Sequence, residues 1–242
     1  MSPELSVVIP VYNEGLAIVP LLRRLNATTS GLAQILVVYD FDEDTTVAPL
    51  QSLAREMPNL QPYHNELGRG VLNALKAGIA ASTGTFVLVT MADGSDEPEL
   101  IGTMLALGRS GADLVAASRY MRGGRQIGGP RVKALLSRLA GLSLHRFGGV
   151  PIHDPTNNFK LYRRAFLSAN VIESRAGFEV ALELTVKASI GGYRLAEIPT
   201  TWRDRTAGQS NFRLRAWLPE YLHWYRFALV HRISGRGTIL RP

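Results

Sequence analysis

The sequence predicts an α/β fold built on a single Rossmann-like, doubly wound and mostly parallel sheet flanked by helices. Three observations support it. Apolar, β-branched runs at 5–11, 35–39, 86–90 and 113–118 are nearly continuous, as in strands covered on both faces. Helix-like segments at about 15–27, 45–56, 69–82 and 97–109 separate them, so strands and helices alternate. Each proposed strand also ends in unusual polar chemistry, and ligands of such sheets gather at the carboxyl ends of the strands.

Taken in order, "LSVVIPV" runs into "PVYNEG", and "ILVVY" runs into "YDFDEDTT". A third candidate element near 60–64 is followed by "NELGRG", and "FVLVT" by "MADGSDEP". "DLVAAS" makes the next strand, and these strands are expected at the centre of a parallel sheet. After residue 119 the pattern changes to Gly-rich connections ("RGGRQIGGP", "RFGGVP"), with helix-like stretches near 131–147 and 177–190 and a strand around "YRLAEIP". The last segment, "AWLPEYLHWYRFALVHRI", spaces Trp217, Tyr221 and Trp224 as on a helix, with Arg226, His231 and Arg232 between them. Two readings of this amphipathic helix stand open: packing on the core, or lying at a membrane interface.

The chain has 242 residues, 46% of them hydrophobic, enough for one substantial core. With no cysteine, disulfides and thiolate metal sites are excluded. "MSPELSVVIPVYNEG" lacks the pattern of a signal peptide, and no run approaches the roughly 18 apolar residues of a spanning helix, so a cytoplasmic protein without a transmembrane anchor is expected. Charge is unevenly spread. Residues 1–118 hold 6 Lys/Arg against 13 Asp/Glu (−7) and residues 119–242 hold 21 against 7 (+14), which give the net +7. A basic second half suggests anionic partners. Nucleic acid is set aside, because the basic residues are not interleaved with a recognisable binding motif.

Each motif has its own chemistry. Pro10 ends the first strand, and the Val11 backbone, Asn13 and Glu14 offer hydrogen-bond donors and acceptors to a ligand; a plain turn and helix cap reads the same residues. Asp44 suits the start of the following helix. Gly68 and Gly70 let the backbone approach a ligand closely, and Arg69 adds a positive charge at a helix start, where anions are favoured. Asp93, Asp96, Glu97 and Glu99 cluster at one strand end of a basic protein. Such a cluster can hold a divalent cation through its carboxylate oxygens. Asp96, Glu97 and Glu99 also suit a helix start around Pro98.

This ordered set resembles the family 2 inverting glycosyltransferases of the GT-A fold, and within them the dolichol- or polyprenyl-phosphate sugar transferases, over residues 5 to about 215. The resemblance implies nucleotide contacts at Pro10, Val11, Tyr12, Asn13, Glu14, Asp40, Gly68, Arg69, Gly70 and Ala92. It also implies a Mg²⁺ or Mn²⁺ ion on Asp93, the second acid of the family's Asp-x-Asp, with Ser95 as auxiliary ligand; Met91 stands in place of the first acid. Tyr39 likewise replaces the first of the family's paired acids before Asp40, and Arg69 replaces a lysine. The implied organisation is a GT-A domain over 1–215, with a nucleotide and metal half (1–118) and an acceptor half (119–215), followed by a helix and tail over 216–242.

In the acceptor half, Arg119 and Arg131 match positions where the lipid-phosphate subgroup keeps arginine, and guanidinium forks suit phosphate oxygens. "DRTAGQSNFRL" resembles that subgroup's Arg…Gly-x-Ser loop, implying phosphate or diphosphate contacts for Arg205 and Ser210. Asp154, in "HDPTNNFKLYRRAF", would be a general base toward a sugar hydroxyl. Toward a phosphate, which is already anionic, it is expected to position the acceptor or an arginine. The implied activity is transfer of mannose or glucose, from a donor of the GDP-mannose or UDP-glucose type, to polyprenyl or dolichyl phosphate. The implied location is peripheral, on the inner face of the membrane. Transfer to a saccharide hydroxyl, or nucleotide-sugar binding without turnover, are the competing readings.

Overall fold

The computed structural model describes residues 3–29, 33–177, 179–204 and 214–233; for 131, 133, 214–217 and 233 it describes the backbone alone. Strands β1 (Leu5–Pro10), β2 (Gln34–Tyr39), β3 (Leu60–His64) and β4 (Phe86–Val89) alternate with helices α1 (Val19–Thr28), α2 (Val47–Ala54) and α3 (Val71–Ala81). Then come α4 (Ile101–Arg109), β5 (Leu114–Ser118), β6 (Arg125–Ile127) and α5 (Arg131–Phe147). The chain continues through β7 (Lys160–Arg163), α6 (Arg164–Ala169), α7 (Val180–Ile190), β8 (Leu195–Pro199), β9 (Thr201–Arg203) and α8 (Leu214–Ile233). Short 3-10 turns at Gly15–Ile18 and Pro98–Leu100 lead into α1 and α4, where the sequence predicts unbroken helices.

The main sheet runs β3-β2-β1-β4-β7-β5-β8. β1 pairs in parallel with both β2 and β4, through Val8↔Leu36 and Val8↔Val89. Every residue of β1 is buried, as its apolar run predicts. Alternation then divides the strand between two cores. Val7 and Ile9 join Leu22 and Leu25 of α1 and Leu50 and Leu53 of α2. Val8 points the other way, toward Ala74 and Leu75 of α3, in the core that also holds Leu182 and Val186 of α7. Burying each such side chain contributes about 1.5–3 kcal/mol. Gly78 lets α3 lie close to the sheet: a Cβ there would stand 2.5 Å from Val8 Cγ1 and 2.9 Å from Val38 Cγ2.

The expectation of adjoining parallel strands is corrected at one place. β7 lies between β4 and β5 and is antiparallel to both. Its four residues hide within "HDPTNNFKLYRRAF", begin with a lysine and end with an arginine, so no apolar run announces them. The Gly-rich stretch before α5 likewise contains β6, which pairs with β9 in a separate two-stranded ribbon.

α8 packs on α5 and α7. Trp224 and Ala228 are buried in the core, and Lys187 of α7 places its ammonium 5.1 Å from the Trp224 ring centroid. Leu218, Leu222 and Val230 are exposed, so α8 is apolar on both sides rather than amphipathic with one apolar face. The Trp217 side chain lies outside the described residues.

Candidate active site

The carboxyl ends of β1, β2, β3, β4 and β5, with the amino end of antiparallel β7, form one edge of the sheet. The first two loops interlock there. Asn13 takes the left-handed conformation (φ 54°), its N–H donates to Asp44 Oδ2 at 2.9 Å, and its Oδ1 accepts from the Thr45 N–H at 3.1 Å. Buried Asp44 also accepts from the Thr46 N–H at 2.8 Å, and the Thr46 hydroxyl accepts from the Glu14 N–H at 3.0 Å. Asp44 thus serves the helix start, as its sequence position suggests, and holds the β1 loop as well. Pro10 and Val11 continue the β1–β2 register, with the Val11 N–H on the Val38 carbonyl at 2.9 Å. Tyr12 stays exposed, edge-on to Phe41 at 5.8 Å, and the Arg69 guanidinium lies 4.7 Å from the Phe41 ring centroid.

Asp40 binds the β3–α3 loop. Its Oδ1 accepts from Asn65 Nδ2 at 2.8 Å and its Oδ2 from the Gly70 N–H at 2.7 Å. Asn65 is buried and also donates to the Gly68 carbonyl at 2.7 Å. Gly70, at φ 121°, has a conformation that an L side chain would strain.

Beyond β4, Ala92 is buried and Asp93 half-buried. Asp93 Oδ1 accepts from the Ser95 N–H at 3.1 Å and from the Ser95 hydroxyl, so two oxygen ligands come from one turn. Asp96 is buried beneath them and accepts from the Thr90 hydroxyl at 2.8 Å. Burial, then the negative charge of Asp93, push its carboxyl up to about 7. Two close acids and a hydroxyl fit a divalent ion that takes its remaining ligands from a diphosphate, as Mg²⁺ commonly does. Among the described residues no group of three or more His, Cys, Asp and Glu could hold a metal without such help. The other acids serve the fold. Glu97 accepts from the Thr201 N–H at 2.7 Å, and Glu99 pairs with Arg24 at 2.8 Å on the surface. The Ser95 carbonyl accepts from the Arg203 N–H at 3.1 Å, tying this loop to β9.

At the end of β5, Arg119 meets Asp154 in a two-pronged ion pair. Nε reaches Oδ2 at 2.6 Å and Nη2 reaches Oδ1 at 2.9 Å, while the Arg119 N–H adds a bond to Oδ2 at 3.1 Å. Asp154 is fully buried and the Arg119 side chain 12% exposed. Burial opposes both charges, and each partner overrides it: Arg119 holds Asp154 below the usual carboxylate range, and Asp154 holds Arg119 above its usual value. Nη2 also approaches Thr156 at 3.2 Å and Ser137 of α5 at 3.4 Å. Asp96 feels the charges of both Asp93 and Arg119, so it lies electrostatically between the two halves of the site.

Arg131 opens α5, and its side chain lies outside the described residues, as do Arg205 and Ser210. Sequence reasoning misses Asn65, Lys160 and Glu197. Lys160 is fully buried and donates to the carbonyls of Pro155 (3.1 Å) and Asn157; burial pushes its ammonium down to about 7 although Asp154 opposes the shift. A lysine opening "KLYR" and a lone acid in "LAEIP" are the only signals they leave.

A mostly parallel sheet that collects acids, glycines and an arginine along its carboxyl edge has the architecture of the GT-A fold. The chain belongs to glycosyl transferase family 2, whose model matches residues 6–170. Polyprenol monophosphomannose synthase of Mycolicibacterium smegmatis is 33% identical over 84% of this chain and 79% of that protein. Undecaprenyl-phosphate mannosyltransferase of Micrococcus luteus is 32% identical over 84% and 85%. Dolichol-phosphate mannosyltransferase of Pyrococcus furiosus is 28% identical over 92% of this chain and 63% of its own length. Glucosyl-3-phosphoglycerate synthase from Mycobacterium tuberculosis, solved with Mg²⁺ and UDP, superposes with a TM-score of 0.66 at 19% identity, covering 96% of this chain and 80% of that one. That likeness shows the fold.

Proposed function

We propose that this glycosyltransferase moves a hexose, mannose or glucose, from a nucleotide diphosphate sugar to a polyprenyl phosphate, inverting the anomeric centre. The observation that carries this is the buried Arg119–Asp154 pair on the sheet edge that also holds Asp93, beside a helix whose outer side is apolar. Val132, Leu135, Leu136, Leu139 and Phe147 of α5 are exposed, and Ser137 of the same helix meets Arg119. A lipid monophosphate needs this pairing of an apolar surface with a fixed guanidinium. The similarity to the polyprenol monophosphomannose synthase and the undecaprenyl-phosphate mannosyltransferase above supports the same reading.

In the reaction a phosphate oxygen attacks the anomeric carbon as the bond from that carbon to the diphosphate oxygen breaks, releasing nucleoside diphosphate. The nucleophile is already an anion, so no base has to remove a proton. Asp154, which accepts three bonds from Arg119 and titrates low, suits positioning rather than proton removal, and this weighs against a saccharide hydroxyl as acceptor. Asp93 and Ser95 would hold Mg²⁺ or Mn²⁺, which when bound neutralises charge on the departing diphosphate. Arg119 orients the acceptor phosphate and offsets its repulsion from the donor. The loops after β1, β2 and β3, tied together by Asp44 and Asp40, would present Tyr12, Phe41 and Arg69 to the nucleotide.

No helix among the described residues is long and apolar enough to cross a membrane. Approach to a lipid acceptor would then be peripheral, through the exposed side of α5, on which Arg138 and Arg146 flank the apolar residues. The test is transfer of label from GDP-mannose or UDP-glucose to a polyprenyl phosphate, with and without Mn²⁺. Label in lipid with either donor supports the reading; label only in a saccharide, or in no product, rejects it.

A further inference from the structure

We infer that Glu197 is a positioning residue for the acceptor site: through the backbone of residues 153 and 154 it fixes the Asp154 carboxylate, and so the attitude of Arg119. The inference rests on the reading of Arg119 as the contact to the acceptor phosphate.

Glu197 lies in the middle of β8, paired with Ala116 of β5, and its side chain is 8% exposed. One oxygen, Oε1, accepts the N–H groups of both His153 (2.7 Å) and Asp154 (3.2 Å). The other, Oε2, lies 2.7 Å from His153 Nδ1. From the opposite side Lys160 Nζ donates to the Asp154 carbonyl at 3.5 Å and to the Pro155 carbonyl at 3.1 Å. The peptide groups on both sides of Asp154 are therefore held, one by an acid and one by an ammonium. With its backbone fixed, the Asp154 side chain has one direction to offer, and Arg119 fills it.

The bracket continues into α5. His153 stacks on His145 with ring centroids 3.9 Å apart at 26°, and His145 belongs to the helix whose Ser137 meets Arg119. Three donors converge on the Glu197 carboxylate, a demand that glutamine meets only in part: its amide offers one acceptor oxygen, and its NH₂ opposes an Nδ1–H. None of these contacts touches the β1, β2 or β4 loops, where a nucleotide would bind. Loss of Glu197 should therefore be felt at the acceptor and not at the donor, whereas a merely structural role would disturb both.

The test uses the full chain carrying Glu197→Gln, Glu197→Ala or His153→Ala, with three readouts: kcat and KM for a polyprenyl phosphate, donor Kd in Mn²⁺ by calorimetry, and the thermal midpoint. Displacing a positioned group by about 1 Å can cost up to about a hundredfold. On that scale Glu197→Ala should raise the acceptor KM at least about tenfold, and Glu197→Gln by an intermediate factor, with donor Kd within about twofold of wild type. His153→Ala, which keeps both backbone bonds, should stay closer to wild type than either. An unchanged acceptor KM, or a donor Kd that rises as much as the KM, overturns the inference. If Glu197→Ala fails to fold, Glu197→Gln decides on the same criteria. Wild-type transfer to lipid phosphate alongside unaffected variants removes Glu197 alone, while a wild type that makes no lipid-linked product removes the acceptor reading and this inference with it.

Discussion

The buried ion pair gives the sharpest quantitative expectation, through a double-mutant cycle on Arg119 and Asp154. Asp154 is fully buried and takes three of its bonds from Arg119. Arg119→Ala keeps the backbone N–H bond at 3.1 Å but removes both guanidinium bonds, leaving a buried carboxylate with that donor, the Thr156 hydroxyl at 3.2 Å and the nearby Lys160 ammonium. Removing one partner of a buried pair costs about 3–5 kcal/mol, and the surviving donors put this variant near the lower figure. Asp154→Ala should cost less, because Arg119 can still reach Ser137, Thr156 and solvent. The double variant strands no charge, so it should be more stable than the sum of the singles predicts, by a coupling of about 2 kcal/mol. In a chain of this length about 3 kcal/mol lowers the thermal midpoint by roughly 6–12 °C. Urea titrations of the four proteins measure the cycle. Additivity within about 0.5 kcal/mol would show that the pair is not coupled, and Arg119 would lose its claim to a fixed orientation.

Asp93→Ala should abolish Mn²⁺-dependent nucleotide binding in calorimetry while the circular dichroism spectrum is unchanged; equal affinity with and without the side chain would remove the metal assignment. Leu135→Glu with Leu139→Glu on α5 should sharply reduce sedimentation with anionic liposomes, and binding by the wild type should weaken with salt, because surface attraction is screened over about 10 Å at 0.1 M; undiminished sedimentation of the variant would exclude α5 as the docking side. Lys160 supplies a pH signature. Its folded pKa of about 7 lies below the usual 10.5, so from pH 7 upward the unfolded chain binds the extra proton and stability should rise with pH, by at most about 1.4 kcal/mol per pH unit. Lys160→Met should flatten that rise, and an identical slope in the variant would show that the buried amine does not titrate there.

The legible parts of this molecule are those in which one side chain type repeats. The runs at β1, β2, β4 and β5 show because strands buried on both faces need continuous apolar sequence, and the observed bounds of α5 are those its pattern predicts. β7 escapes because a four-residue antiparallel strand between two others needs few side chains of its own, and two of its four are charged. The site divides in the same way. Asp93 stands out as an acid at the end of an apolar run, and Arg119 and Asp154 through the resemblance to the family, yet the contacts that hold the site do not show, since they join segments far apart in sequence: Asp40 with Gly70, Glu97 with Thr201, Glu197 with Asp154.

The four acids after β4 show why composition alone misleads here. Asp93 takes the Ser95 N–H and hydroxyl, Asp96 is buried against the Thr90 hydroxyl, Glu97 ties β9 in place and Glu99 meets α1 on the surface. A basic protein can carry this local concentration of negative charge because each of these acids meets a donor within the fold, the Ser95 N–H and hydroxyl in the case of Asp93. Asp93 and the buried Asp96 still repel each other, and a divalent cation would relieve that repulsion. Met91 stands where the resemblance places the first acid of the family's pair; with Asp96 buried near Asp93, a third carboxylate at this strand end would add to the repulsion between them.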